Sequence, residues 1–253
     1  MDEMKLDFDF DFSFEIPSKY ETEIVFVIDS TGSMNRFTRM LRYYEKDFYR
    51  MISESLEKEG ILIDDLRVKV INFKDFAYDG DEAIRQSRFF NLPEEKKEFF
   101  EWVPDRTFGG GDEPESALEA IAVAMRSDWT TEKIPDIKRR HVILVFTDAS
   151  AAPLKDASRP GRSKCSRIEN PAYPENMPNN LEELEEMWNG TSNTLKGMPN
   201  RTAKRIGIFA PDVWPWNTIG EWDQCFWNLV HWGYSLDDVS IDDVINMIVH
   251  CYM

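Results

Sequence analysis

The sequence is poor in the residues that build covalent or soft-metal frameworks. It has 3 cysteines and 3 histidines among 253 residues. Cys165, Cys225 and Cys251 are odd in number and widely spaced, and no Cys-x-x-Cys occurs. We therefore expect neither a disulfide framework nor a zinc ribbon.

Long apolar runs and an excess of basic charge are also missing. No stretch reaches the roughly 18 apolar residues of a membrane span. Residues 1–14 alternate acidic and aromatic side chains and lack the basic start and apolar run of a signal peptide. The net charge is −17, from 30 Lys and Arg against 47 Asp and Glu. Such a chain repels nucleic acid and anionic lipid, so we predict a cytoplasmic protein that binds neither nucleic acid nor membrane.

Apolar runs and amphipathic segments alternate along the chain, and this order indicates the fold class. Strands are predicted at 23–29, 66–73, 83–92, 141–148, 205–210 and 226–231, and helices at 36–58, 93–102, 117–125, 181–188 and 241–251. The alternation predicts an α/β fold with a doubly wound, mostly parallel sheet flanked by helices and one antiparallel edge strand. We predict an N-terminal acidic and aromatic extension over residues 1–20 and a single domain over residues 21–253.

Two of the predicted strands are strongly apolar and end in an acid, Asp29 and Asp148. A loop of three glycines followed by Asp112 lies between these strands in the sequence. The carboxyl ends of parallel strands meet at one edge of the sheet, where ligands bind in such folds. We therefore expect these three segments to converge there.

The first segment has the pattern Asp29-x-Thr31-x-Ser33, in which one carboxylate and two hydroxyls alternate. Hard oxygen ligands of this kind suit Mg²⁺, Mn²⁺ or Ca²⁺ rather than zinc. Asp112 and Asp148 add two carboxylates, and three crowded acids repel one another unless a cation is present. The alternative interpretation is that the hydroxyls are ordinary helix caps and the glycines a flexible loop.

The run from Ile24 to Met34 resembles the first strand and metal-binding loop of von Willebrand factor type A (vWA) domains, over a likeness that extends from Glu23 to Ala210. The resemblance implies a metal-ion-dependent adhesion site. In such a site Asp29, Thr31 and Ser33 form the first loop, and Asp148 matches the aspartate of the third loop.

The second loop departs from the usual vWA pattern, because Asp112 stands where a threonine is common. The string Gly-Gly-Gly-Asp-x-Pro-Glu resembles a subset of the family found in intracellular and bacterial members. A third carboxylate neutralises more of the charge of a bound ion. The site is then less attractive to an acidic side chain of a partner than an adhesion-type site.

The resemblance implies a non-enzymatic, metal-ion-dependent protein-binding module within a larger intracellular assembly. Its protein partner would place an acidic residue at the metal. One alternative is a Mg²⁺-dependent phosphotransferase or phosphatase that uses Asp29. The usual Asp-x-Asp motif of such enzymes is broken at Thr31, and no general acid or base is evident. A second alternative is a degenerate site without metal.

Residues 149–180 are rich in Pro, Ser, Asn and Arg and predict a long surface loop directly after Asp148. The loop carries five cations in an otherwise acidic chain: Lys155, Arg159, Arg162, Lys164 and Arg167. It is either a solvated loop or a partner-specific surface beside the ion.

Overall fold

The computed structural model describes residues 18–111, 113–230 and 236–253. In these residues the strands are β1 (Ser18–Asp29), β2 (Ile61–Phe73), β3 (Ile84–Gln86), β4 (Phe90–Leu92), β5 (Lys138–Phe146), β6 (Lys204–Pro211) and β7 (Cys225–Val230). The helices are α1 (Asn35–Tyr43), α2 (Phe48–Lys58), α3 (Phe76–Asp79), α4 (Lys96–Trp102), α5 (Ala117–Met125), α6 (Leu181–Asn189), α7 (Trp216–Ile219) and α8 (Ile241–His250).

The strands form one sheet in the order β3-β2-β1-β5-β6-β7, and β4 also pairs with β2. β2, β1, β5, β6 and β7 run parallel. β3 and β4 run antiparallel to β2 and together form its outer edge. This edge is interrupted where the Ser87 hydroxyl, rather than a backbone carbonyl, accepts the Val70 N–H. The predicted mostly parallel α/β sheet with an antiparallel edge is confirmed.

Each face of the sheet packs against its own apolar layer. Ile24, Phe26 and Ile28 of β1 point to the layer built with α1, α2, α4 and α8. Val25 and Val27 point to the opposite layer, built with α5, α6 and α7. All five side chains are at most 1% exposed. This explains the uninterrupted apolar run from Ile24 to Ile28 in β1, because the part of a parallel strand that is covered on both faces needs apolar residues at every position.

The segment from 36 to 58, predicted as one helix, is divided into α1 and α2 by a turn at residues 44–47. The turn places the Phe48 ring against Phe26 and Phe99, with ring centroids 5.9 and 6.2 Å apart. The prediction of one continuous helix was wrong because apolar spacing alone does not reveal a change in helix direction.

The predicted N-terminal extension falls almost wholly on residues 1–17, which lie outside the described residues, while residues 18–20 belong to β1. The division into an extension and one domain therefore stays a prediction. None of the helices in the described ranges is long and apolar enough to cross a membrane.

We predict that Phe26→Ala destabilises the protein by about 3–5 kcal/mol, because it leaves a cavity among the rings of Phe48, Phe99 and Phe146. Urea denaturation measures the change as a lower midpoint at an unchanged slope. Tyr43→Ala is the matched control, since the Tyr43 side chain is 82% exposed. Equal destabilisation by the two variants would contradict the assigned core.

Candidate functional site

Asp29 is the last residue of β1, and its side chain is fully buried at the carboxyl edge of the sheet. The parallel register pairs Ile28 with Phe146 on β5, so the residues that follow these two lie side by side. The Thr147 hydroxyl accordingly donates a 2.8 Å hydrogen bond to Asp29 Oδ2. The pairing of two central strands thus positions the first candidate ligand.

Thr31 turns back toward Asp29 through two hydrogen bonds. Its backbone N–H and its hydroxyl reach Asp29 Oδ1 at 2.8 and 2.7 Å. Thr31 stands at the N-cap position of a short 3₁₀ turn over Gly32–Met34, but its side chain makes no capping hydrogen bond. The helix-cap interpretation therefore does not account for this hydroxyl.

Ser33 connects the first loop to Asp148, the third predicted segment. The Ser33 hydroxyl donates to Asp148 Oδ1 at 2.9 Å and lies 3.4 Å from Thr31 Oγ1. Asp29 is buried, Asp148 is half-buried, and Ser33 is exposed. The four residues form a continuous row of oxygens from the sheet interior to solvent, which we call the oxygen cluster.

The glycine loop, residues 109–111, lies directly over the first loop. Gly110 has φ +92°, and a Cβ atom there would lie 2.5 Å from both Thr31 Cγ2 and Glu115 Oε1. Only glycine allows this backbone conformation and this close approach. The loop therefore approaches the oxygen cluster as the sequence predicts. Asp112, the fifth predicted ligand, lies outside the described residues.

The oxygen cluster carries an electrostatic cost. Burial, with a smaller contribution from the charge of Asp148, raises the pKa of Asp29 to about 6, although the hydrogen bonds from Thr31 and Thr147 lower it. Burial also raises the pKa of Asp148. A divalent cation would reverse both effects, since it favours ionised carboxylates.

The donor set fits a hard cation. Two carboxylates and two hydroxyls supply only oxygen, which suits Mg²⁺, Mn²⁺ or Ca²⁺. No group of three or more His, Cys, Asp or Glu that could hold a metal occurs among the described residues. Asp29 and Asp148 therefore depend on the hydroxyls, or on a residue outside the described ranges, to complete a ligand set.

Two residues that adjoin the oxygen cluster were not predicted. Thr147 orients Asp29, and Glu115 lies against Gly110 with its side chain buried. Burial and the charge of Asp29 raise the pKa of Glu115 to about 10, so this carboxyl is neutral at pH 7. Both residues stand next to predicted ligand segments in the sequence, but only the folded structure reveals their burial and contacts.

Arg167, which the sequence placed in a basic surface loop, is almost fully buried at 1% exposure. Its guanidinium pairs with Asp75 and with Asp156 at 2.8 Å and donates to the Pro114 carbonyl at 2.8 Å. This arginine ties the long loop to Asp75, which follows β2, and to Pro114, which follows the glycine loop. It is not part of a surface that a partner could contact.

No protein-family model matches the sequence, and no curated protein matches it. The pilus adhesin SpaC from Lactobacillus rhamnosus GG matches the structure with a TM-score of 0.51 and 11% identity, over 92% of this chain and 30% of that one. Proximal thread matrix protein 1 (PTMP1) from the mussel byssus matches with a TM-score of 0.50 and 9% identity, over 93% and 49%.

The chain thus spans less than half the length of either protein. At these identities the likeness shows a common fold. The vWF domain of the type V pili tip protein Mfa5 from Porphyromonas gingivalis also matches, at 15% identity over 55% of this chain and 42% of that one. Its TM-score of 0.31 is too low to support a conclusion.

We predict that Asp29→Asn changes how stability depends on pH in metal-free protein. The raised folded-state pKa, about 6 against 3.8, means that the folded state binds the proton more tightly. The contribution of Asp29 to the free energy of unfolding is therefore largest at low pH, and it falls as pH rises from about 4 to about 6. Asp29→Asn removes this fall, which is on the order of 2–3 kcal/mol.

Urea denaturation at several pH values in EDTA measures the difference between variant and wild type. Asp64→Asn is the control, because Asp64 is exposed at the opposite end of the sheet. If the free energies of unfolding of Asp29→Asn and the wild type change in parallel between about pH 4 and about pH 6, ionisation of Asp29 does not destabilise the fold as assigned.

Proposed function

We propose that this chain is a non-enzymatic, metal-ion-dependent protein-binding module of the vWA type. Asp29, Thr31, Ser33, Asp112 and Asp148 would bind Mg²⁺, or Mn²⁺ or Ca²⁺ in its place. The observation that carries the proposal is the row of oxygens from Asp29 through Thr31 and Ser33 to Asp148, with contacts of 2.7, 3.4 and 2.9 Å.

Each residue has a distinct part in the proposed site. Asp29 is buried and fixes the Thr31 hydroxyl, while Ser33 is exposed where a partner approaches. A divalent ion in this position would offer a Lewis-acidic coordination point to an acidic side chain of a protein partner. Asp112 would add negative charge and weaken that attraction. The partner therefore needs further contacts around the site.

The solved structures of similar fold are compatible with a binding role. One is a pilus adhesin and the other a thread matrix protein, and both names describe attachment or assembly rather than catalysis. The partner, the assembly and a cytoplasmic location of this chain remain proposals, as does the absence of nucleic-acid and membrane binding.

The geometry of Asp29 argues against the phosphotransferase alternative. A nucleophilic carboxylate needs an oxygen that can reach the substrate. Asp29 Oδ1 accepts two hydrogen bonds from Thr31 and Oδ2 accepts one from Thr147, and the side chain is fully buried. Asp29 is therefore better suited to orient the hydroxyls than to attack phosphorus.

The long loop supplies the nearest candidate for the further partner contacts. The Pro160 carbonyl accepts a hydrogen bond from the Tyr78 hydroxyl, and the Tyr78 ring lies against Gly111. This places the loop beside the glycine loop. Arg162 is exposed there, whereas the Arg159 guanidinium donates to the carbonyls of Ser163 and Lys164.

We predict that isothermal titration calorimetry detects binding of Mg²⁺, Mn²⁺ or Ca²⁺ to the wild-type chain. Ser33→Ala and Asp148→Asn should each weaken the affinity at least ~10-fold, because each removes an oxygen at the site. Asp112→Ala should weaken it similarly while leaving the melting temperature in EDTA unchanged.

Asp64→Asn serves as the matched control, since it removes the same charge from an exposed position. Metal affinity that survives Ser33→Ala and Asp148→Asn would place the ion elsewhere. Loss of melting temperature on Asp112→Ala in EDTA would show that Asp112 stabilises the fold instead.

We predict that capture of the native protein partner requires both the ion and the loop. EDTA should abolish recovery in a pull-down, and Arg162→Glu should reduce it by reversing the charge that steers an acidic partner. Arg162→Gln, which removes the charge without reversing it, should reduce recovery of the partner by an intermediate amount. Full recovery in EDTA would exclude the oxygen cluster as the interface.

A further inference from the structure

The amino-terminal ends of β5 and β6 concentrate positive charge in a chain of net charge −17. β5 begins with Lys138, Arg139 and Arg140, and β6 begins with Lys204 and Arg205. This edge lies opposite the oxygen cluster. Arg139 and Asp148 are nine positions apart along β5 and its continuation, which corresponds to about 30 Å.

A cleft of about 390 Å³ opens at this edge beside Arg139. We call it the basic cleft. Its lining includes Thr130, Thr131, Lys133, Arg139, Asn200 and Arg201. Of the described residues, no Asp or Glu lines the cleft. The lining is therefore rich in hydrogen-bond donors and has a positive charge.

Both walls of the basic cleft are fixed by hydrogen bonds. On one side, Asn200 Oδ1 accepts from the backbone N–H and the hydroxyl of Thr202, at 3.1 and 2.9 Å. On the other side, the N–H and hydroxyl of Thr130 donate to the buried carboxylate of Glu23, at 2.8 and 2.7 Å. These hydrogen bonds fix residues close in sequence to Lys133 and Arg201, whose own side chains are exposed to solvent.

The charges in the basic cleft do not cancel. Arg139 is paired with Glu21 at 2.7 Å. Lys133 and Arg201 form no ion pair with any residue in the described part of the chain. Two positive charges and their donors therefore remain for a ligand.

The positive charge of the basic cleft contributes to lowered pKa values of two neighbouring residues, His141 and Lys204. Burial is the main cause that lowers the pKa of His141 to about 4, and Arg139 is the next. Burial likewise lowers the pKa of Lys204 to about 8, and Arg201 adds to the lowering. An anion in the cleft would offset this repulsion.

We propose that the basic cleft binds a phosphate group, either as free phosphate or as a small phosphomonoester. A phosphate carries about −1.5 to −2 charges at pH 7 and three strong acceptor oxygens, which match the two uncompensated cations. A single carboxylate would leave one of the cations unpaired. Arginine with its forked donors suits the oxygens of phosphate, and lysine adds a point charge.

Calorimetric titration of the full chain with inorganic phosphate, and separately with glycerol 2-phosphate, tests the proposal. EDTA is present throughout, so that metal at the oxygen cluster takes no part. We expect saturable one-site binding. Lys133→Gln and Arg201→Gln should each weaken it at least ~5-fold, and the double variant should abolish it. If inorganic phosphate binds and glycerol 2-phosphate does not, the ligand is free phosphate. If glycerol 2-phosphate also binds, the cleft accepts a phosphomonoester.

Lys58→Gln and Lys97→Gln are matched controls, because both lysines are exposed and lie outside the cleft. They remove the same charge and should change the affinity less than ~2-fold. An equal loss in the controls would show non-specific attraction and overturn the proposal. So would affinity unchanged in the double variant, or a titration that does not saturate.

Discussion

The carboxylate of Asp29 accepts three hydrogen bonds at a position closed to solvent, and each fixes part of the carboxyl edge. Two come from Thr31 and set the path of the first loop. The third comes from Thr147 and ties the end of β5 to the end of β1. Because Thr31 in turn contacts Gly110, the glycine loop is positioned against the same group.

A second buried interaction extends this arrangement to the long loop. Arg167 pairs with Asp75, which follows β2, and donates to the Pro114 carbonyl after the glycine loop. Removal of one partner would leave an uncompensated buried charge, which is strongly destabilising. The Arg167–Asp75 ion pair therefore attaches the long loop to the end of β2. It also gives a buried anchor to residues 150–180, which have almost no regular secondary structure.

The convergence of Asp29 and Asp148 could be predicted from the sequence, because each ends an apolar strand and parallel strands end at the same edge. The hydrogen bond from Thr147 could not, since it depends on which way a hydroxyl turns at a strand end. The neutral state of Glu115 depends on burial by segments far away in the sequence. Arg167 gave no signal of burial either, because its polar neighbours are typical of a solvated loop.

The basic cleft was not predicted because it also depends on residues that are far apart in the sequence. Its cations come from residues 133–139 and from residue 201, which are distant in sequence and separated by most of β5, the long loop and the acidic helix α6. The acidic total charge conceals this local excess. At about 30 Å, two unit charges interact by ~0.14 kcal/mol in water and by ~0.6 kcal/mol at an effective dielectric constant of about 20, before screening by salt. The acidic carboxyl edge and the basic amino edge are thus only weakly coupled by electrostatics.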